Sequence, residues 1–353
     1  MGILQNIYAP FSNDIGIDLG TANCLVYLRG KGIIINEPSV VALNTKTDQV
    51  VAVGRQAKEM LGRTPQHIRA VRPLVNGVIS DFEVTEEMIT YFLTKAQRGT
   101  RAFFGPRVVV GVPSGITNVE SRAVRDTAKH AGARDVYIVE EPLAAAIGMR
   151  LPIHEARAHM VVDIGGGTTD IAVISLNGLV RSKNLHTAGD RLNSDIIAHL
   201  RNEFKIVIGE TAAEDLKFAV CSLLEGPEPE EAPVRGRDLV TGLPKEVSIT
   251  DADIRDAIGT SIDTIIEAIR TVLEESPPAV VSDIMQVGIH VTGGGSLIRG
   301  VPELLEAMLE LPVNVANDPL TSVVRGTGAI VESLDQYREL LVDEHALPII
   351  ETH

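Results

Sequence analysis

The chain has 353 residues, 44% of them hydrophobic and 22% charged, which suits two cored domains that fold without metal or disulfide staples. Its 32 basic against 47 acidic residues leave a net charge of −15, and with 3% aromatics and no tryptophan this argues against nucleic acid as a partner. Two cysteines, no export signal and no apolar run of membrane-spanning length lead us to expect a reduced, cytoplasmic protein.

Near the start, Ile3, Leu4, Ile7, Tyr8 and Phe11 fall at helical spacing, as in an amphipathic segment lying on a membrane or a helix docked on the body, with Pro10 limiting its length. Residues 15–28 read as apolar strand, Asp18, a Gly20-Thr21 turn, and a second apolar strand. Residues 32–72 mix short strands and turns with one helix near 56–61, a small inserted lobe. Residues 84–96 place Met88, Ile89, Phe92 and Leu93 on one helical face. Phe103 and Phe104, between Arg101 and Arg107, form either a membrane-inserting tip or a loop anchor.

A buried strand at 107–112 is followed by Thr117 and Glu120, a capping box that opens a helix to about residue 131. The strand at 136–139 runs into Glu140 and Glu141, an acidic pair ahead of Pro142 and a small-residue helix. A carboxylate at a strand end would orient water toward a phosphate; otherwise it is a solvated helix-start charge.

At 160–175 an apolar run ends in Asp163, followed by Gly165, Gly166, Gly167, Thr168, Thr169 and a second apolar run. Such a turn suits an anion. Glycines free to adopt positive φ bring backbone N–H groups close to a phosphate, the threonine hydroxyls add donors, and Asp163 is placed to serve a Mg²⁺ that bridges phosphate oxygens. The pattern occurs twice, with Asp18 and Gly20-Thr21 as its counterpart, so two equivalent halves would grip one polyphosphate.

Further on, helices are expected from Asp190 to about residue 204 and from Thr211 to about 224. Within the second, Glu214 is either the capping-box partner of Thr211 or, with Lys217, a contact to a nucleotide ribose. Residues 227–244 read as an exposed excursion, 247–249 as a strand, 250–275 as a long amphipathic helix and 285–291 as a strand. Gly293, Gly294 and Gly295 then allow close approach to a flat base or the α-phosphate. Neither glycine run fits a dinucleotide fingerprint, and no P-loop occurs. A last main helix starts at 318–322.

Asp18-Leu-Gly-Thr-Ala-Asn23, Asn36-Glu-Pro-Ser-Val-Val-Ala-Leu43, Gly77-Val-Ile-Ser-Asp-Phe82, Val112-Pro-Ser-Gly115, Glu141-Pro-Leu-Ala-Ala-Ala-Ile-Gly148, the 161–169 hairpin and Thr292-Gly-Gly-Gly295 together resemble the MreB family of bacterial actin homologues, over about residues 14–332. The resemblance implies an α/β, actin-like ATPase fold: two related domains, each with a smaller inserted subdomain, and the nucleotide in the cleft between them. By position, 1–31 with 73–150 and 320–345 would form subdomain IA, 32–72 IB, 151–181 with 245–319 IIA, and 182–244 IIB, with 346–353 as a tail.

It further implies slow hydrolysis of ATP to ADP with Mg²⁺, coupled to polymerisation into membrane-associated filaments that help set cell shape by organising cell-wall synthesis. The implied partners are the chain itself in paired protofilaments, the inner face of the cytoplasmic membrane, and membrane proteins of the wall-elongation machinery. Asp18 and Asp163 would serve the metal, largely through water. Gly20, Thr21, Ala22, Asn23 and Gly165 to Thr168 would cradle phosphates. Glu141, with Thr168 beside it, would position the attacking water. Glu214 and Lys217 would face ribose and base, and Gly293, Gly294 and Gly295 the adenosine. Ile3, Leu4, Ile7, Phe103 and Phe104 are the membrane candidates.

Cys24 stands where the family usually has Thr, Asp170 where it has Glu, and Cys221 where it has Gly near the base. A sugar or acetate kinase of the same superfamily would need a second general base in the cleft, for which no motif stands out. A chaperone-type ATPase would need a further substrate-binding domain.

Overall fold

Two runs of β-branched residues, each broken by a glycine turn, fold back on themselves as hairpins. The first pairs Ile15–Leu19 with Asn23–Leu28, the second His159–Ile164 with Thr169–Ser175, both antiparallel. The computed structural model describes residues 13–97 and 105–342. Ile3, Leu4, Ile7, Tyr8, Phe11, Arg101, Phe103 and Phe104 therefore lie outside the described residues.

Each hairpin is the centre of a five-stranded sheet, and the two sheets repeat one plan. In the first, Gly32–Pro38 extends the hairpin antiparallel on one side, while Arg107–Val112 and Asp135–Glu140 add in parallel on the other. In the second, Gly178–Leu185 extends it antiparallel, and Ile289–Thr292 and Val313–Val315 add in parallel. Parallel additions need crossovers, and the crossing helices cover the sheet faces. Ile15, Ile17, Val161, Val162, Ile171 and Val173 are consequently all but inaccessible to water. Among the described residues no helix is long and apolar enough to cross a membrane.

Local signals set several helix starts. Thr117 and Glu120 make the reciprocal capping box expected of them, opening Asn118–His130. Thr250 and Asp253 do the same for the 24-residue helix Asp251–Glu274, whose isoleucines pack beneath the second sheet. Two three-stranded sheets, besides the two-stranded pair Leu74–Val75 and Val78–Ile79, stand apart from the main ones. Val41–Asn44 lies between Val50–Val53 and Ile68–Val71, with helix Arg55–Met60 closing a core of Val40, Ala42, Ala52 and Ala57. On the other half, Ile206–Val207, Glu231–Asp238 and Pro244–Thr250 form a sheet beside helices Gly189–Glu203 and Glu210–Val220.

The structure corrects three local readings. The strand expected over 285–291 begins only at Ile289, because Pro278–Val287 is a helix, with Pro at its first turn and Gly288 ending it at φ 80°. The excursion at 227–244 contains strand Glu231–Asp238, of which only Val234 is fully buried, so its alternation was too weak to see. The helix assigned to 211–224 runs Glu210–Val220 with Gly209 as N-cap, so Glu214 is no capping-box partner.

Helices Glu141–Gly148 and Ser322–Glu332 cross backbone to backbone between the sheets. A Cβ on Gly326 would overlap the Ala144 carbonyl, and one on Gly148 the Ser322 carbonyl. Small residues at 144–146 permit that approach, which fixes the helix carrying Glu141. Gly326→Ala should therefore cost about 1–3 kcal/mol through overpacking. Urea unfolding would show this as a lower midpoint at unchanged slope, and an unchanged midpoint would mean that the crossing gives way.

Candidate active site

The two hairpins meet turn to turn. A Cβ on Gly166 would stand 2.6 Å from the Ala22 Cβ, and one on Gly167 the same 2.6 Å from Thr21 Oγ1. This corrects the reason given for the glycines: none of Gly165, Gly166 and Gly167 adopts positive φ. Glycine is needed at 166 and 167 because the opposite turn occupies the space of a side chain. Thr21 Oγ1 also accepts the Gly77 N–H at 2.9 Å, and Ser39 Oγ donates to the Gly20 carbonyl at 2.6 Å, so the first turn is held from behind.

Asp18 and Asp163 occupy the hairpin strands, opposite Leu25 and Asp170 respectively. Glu141 opens its helix directly after strand Asp135–Glu140. All three carboxylates, with Asp170, line one cavity of about 550 Å³ between the halves. Gly20, Thr21, Ala22 and Asn23 line it from one side, and Gly165, Gly166, Gly167 and Thr168 from the other. Glu214, Lys217, Gly293, Gly294 and Gly295 complete the wall. The candidates for metal, phosphate, water and nucleoside thus reach this one cavity, but Thr169 does not: its hydroxyl is buried and donates to the Thr187 carbonyl at 2.7 Å.

The acidic pair divides its duties. Glu140 accepts the Gly115 N–H at 3.1 Å and so ties down the loop after strand Arg107–Val112. Glu141 is 9% exposed and faces the cavity. Burial, then the charges of Asp170, Asp18 and Asp163, pushes its carboxyl well above the usual range. Asp163 is raised likewise, by burial and then by Asp170 and Asp18. Asp18 keeps more contact with the cleft, yet enclosure by its walls pushes it up to about 7. Asp170, 1% exposed, is raised by burial although it accepts Ser114 N and Oγ at 2.7 and 2.6 Å and Asn184 Nδ2 at 2.9 Å.

Among the described residues no lysine or arginine pairs with any of these four carboxylates. Four enclosed acids without a cation suit a divalent ion that arrives with a ligand. No group of three His, Cys, Asp or Glu side chains there could form a full metal shell. That donor set fits Mg²⁺, which keeps several waters and takes one or two carboxylates together with phosphate oxygens.

At the other end, Gly293 has φ 80° and seats its backbone against Asp163 and Ile164, where any Cβ would overlap. Lys217 is buried, its pKa lowered by that burial, and Nζ donates to the Gly189 carbonyl at 2.9 Å. Glu214 accepts a hydrogen bond from Lys58 Nζ at 2.7 Å. Cys221 lines the same end, its thiol pushed to about 11 by burial. Sequence reasoning did not single out Phe218, Leu297 and Leu320, which line this end while 73%, 55% and 51% exposed. Large apolar side chains left open around a cavity suit a flat ring. Phe218 beside Lys217 was the available signal; the two leucines had none.

A larger hollow of about 1160 Å³ lies elsewhere, lined in part by Arg150, His154, His290 and Arg325. Its one carboxylate, Asp318, is engaged by Arg325 at 3.0 Å, and it has no glycine hairpin. His290 backs onto His159 there, and burial lowers both imidazoles, His290 to about 4.

Twin hairpins facing across a cleft, each in an equivalent sheet, define an α/β protein of actin-like fold. The structure overlays that of MreB5 of Spiroplasma citri bound to ADP with a TM-score of 0.88 at 37% identity, covering 93% of this chain and 98% of that one. The AMPPNP-bound form of the same protein gives 0.87 over the same shares. A MamK double helical filament gives 0.76 at 24% identity over 91% and 99% of the two chains, a likeness of fold alone. A family model described as MreB/Mbl protein matches residues 12–339. Among curated relatives, the cell shape-determining protein MreB of Escherichia coli (strain K12) is 46% identical over 339 residues, 95% of this chain and 98% of that one. The cell shape-determining protein Mbl of Bacillus subtilis (strain 168) is 45% identical over 327 residues, 92% and 98%. The chain belongs to the MreB/Mbl family.

The raised carboxyls have a consequence for stability. A group whose folded pKa exceeds its unfolded value stabilises fully below the unfolded value and loses that contribution as pH rises through the folded one. For Asp18 the window runs from about 4 up to about 7. In ligand-free protein, Asp18→Asn should remove this component and raise the melting temperature at pH 8 by about 2–4 °C relative to wild type, with a smaller difference at pH 5. A difference independent of pH would show that Asp18 is ionised throughout.

Proposed function

We propose that this chain is a cytoskeletal ATPase that polymerises into membrane-associated filaments and helps set cell shape by organising cell-wall synthesis. The observation that carries the reading is the convergence of Asp18, Asp163 and Glu141 in one cavity between two glycine hairpins, where no lysine or arginine among the described residues pairs with them. The cell-shape names of the relatives and the ADP and AMPPNP complexes of one structural neighbour support it. The four-subdomain division given above belongs to the same proposal. Each main sheet would core a large subdomain, and strand Gly32–Pro38 would lead from the first sheet into its small lobe.

In this reading the hairpin turns bind the phosphates through backbone N–H groups of 20–23 and 165–168. Asp18 and Asp163 would hold a Mg²⁺ brought with ATP, largely through its waters, and its charge would neutralise the acids around it. Glu141, ionised once that charge is balanced, accepts a hydrogen bond from the attacking water and aligns it, with Thr168 alongside. Glu214 and Lys217 address the ribose and base, and Gly293 to Gly295 admit the adenosine to the backbone. Self-association in paired protofilaments, attachment to the inner face of the cytoplasmic membrane and contact with membrane proteins of the elongation machinery complete the proposal.

Glu141→Ala should leave ATP binding nearly intact and slow single-turnover hydrolysis by about 10²-fold or more. Unchanged turnover would move the role to Glu140. Wild-type protein incubated with ATP should pellet on ultracentrifugation; material that stays in the supernatant under all nucleotide conditions would sink the filament reading.

Attachment by apolar insertion makes a separate prediction. A chain at −15 is repelled on average by an anionic leaflet, and one large apolar side chain contributes only about 1.5–3 kcal/mol, so repetition along a filament must supply the avidity. Liposome co-sedimentation should fall sharply for Phe103→Ser with Phe104→Ser, or on deletion of residues 1–8, and should survive high salt. Loss of binding through salt alone would point to a charge-based attachment.

A further inference from the structure

The mouth of the cavity is bridged by charge. Lys58, on helix Arg55–Met60 of the first small lobe, places Nζ 2.7 Å from Glu214 Oε2 on helix Glu210–Val220. Arg72, just past strand Ile68–Val71 of the same lobe, places NH1 2.7 Å from Glu210 Oε1 and 3.2 Å from Asp190 Oδ1. These pairs join residues 118 to 156 positions apart in the chain. Lys58, Arg72, Asp190 and Glu214 all line the cavity.

Among the described residues no buried apolar cluster spans the two lobes. The first lobe's core of Val40, Ala42, Ala52 and Ala57 is a cluster of its own, separate from the large cluster that includes Ala213, Leu216 and Val220 of the opposing helix. Across the mouth, then, the lobes are tied by two points of charge rather than by a shared core. Such ties are weaker than apolar packing and can be remade.

We propose that Lys58 and Arg72 are a two-point charge clamp that closes the first lobe over a bound adenine nucleotide, and that Lys58 is in addition the positioning residue for Glu214. The proposal rests on the nucleotide reading of the cavity. With Oε2 held by the ammonium, the Glu214 carboxylate has its remaining oxygen free for a sugar hydroxyl, in an orientation set from the opposite lobe. A nucleotide leaves only when both points part. Arg72 holds the mouth without touching Glu214, so the two residues divide closure from sugar recognition.

The test uses the full chain and unmodified nucleotides. Release of radiolabelled ADP is followed by filter binding, and affinities for ATP and 2′-deoxyATP are compared, at about 50 mM salt, where the charges are little screened. Lys58→Met should speed ADP release about 5-fold and narrow the preference for ATP over 2′-deoxyATP; Arg72→Met should speed release by a similar factor and leave that preference alone. Lys58→Arg should restore both properties, which loss of a merely structural side chain would not predict. Wild-type protein that retains no ADP overturns the nucleotide reading and the clamp with it. Wild type that retains ADP, with both methionine variants releasing it at the wild-type rate, overturns the clamp alone. Faster release from Lys58→Met with an unaltered sugar preference overturns the positioning of Glu214 and upholds the closure.

Discussion

Everything at the site depends on how closely two turns approach. Gly166 and Gly167 lie against Ala22 and Thr21 at a separation that leaves no room for a further carbon atom. That contact brings the hairpin strands of two separate sheets to one place, and with them Asp18 and Asp163. Gly77 continues the arrangement: at φ 74° its backbone packs on Pro113 and Thr168, while its N–H bonds Thr21. A side chain at any of these points would push the halves apart and widen the cavity between them.

The approach concentrates negative charge. Enclosed carboxylates with no cation beside them are costly, and here desolvation is the first cause of every raised value, with repulsion from neighbouring carboxylates adding to it at Glu141 and Asp163. The cost falls on strands and a helix whose neighbouring residues belong to extensive apolar cores: Ile17 and Leu19 beside Asp18, Val162 and Ile164 beside Asp163, and Leu143 to Ile147 after Glu141. The two oxygens of Asp170 are satisfied by Ser114 and Asn184, so it ties the second hairpin to the loop after strand Arg107–Val112 as well as crowding its neighbours. Strain of this kind is relieved when a cation enters, which links occupancy of the cavity to the stability of the whole chain.

The parts that carry the proposed chemistry and the parts proposed to close over it are built differently. Glu141 sits on a helix locked by backbone contact through Gly148 and Gly326, and the aspartates sit on central strands; these cannot shift without breaking a packed core. The small lobes meet across the mouth through Lys58, Arg72 and their acids, half-exposed groups whose pairing can be exchanged for water.

Much of this was legible in the residue order, because it is local. The Asp and glycine turns, the capping box at Thr117 and Glu120, the small-residue helix after Glu141 and the repeat of one hairpin pattern each lie within a short window, where backbone sterics and periodicity decide the outcome. What lay beyond reach was set by distant partners. Gly166 and Gly167 of the second turn are explained by side chains of the first, more than 140 positions earlier by sequence number, rather than by positive φ. Glu214 read equally well as a capping residue until the fold set Lys58 beside it, and the helix at Pro278–Val287 displaced an expected strand through its proline start and glycine stop. Spacing along the chain fixes which face a side chain takes, but burial, repulsion between carboxylates and charge pairing across a cleft depend on distances in space, and those exist only once the two halves have folded against each other.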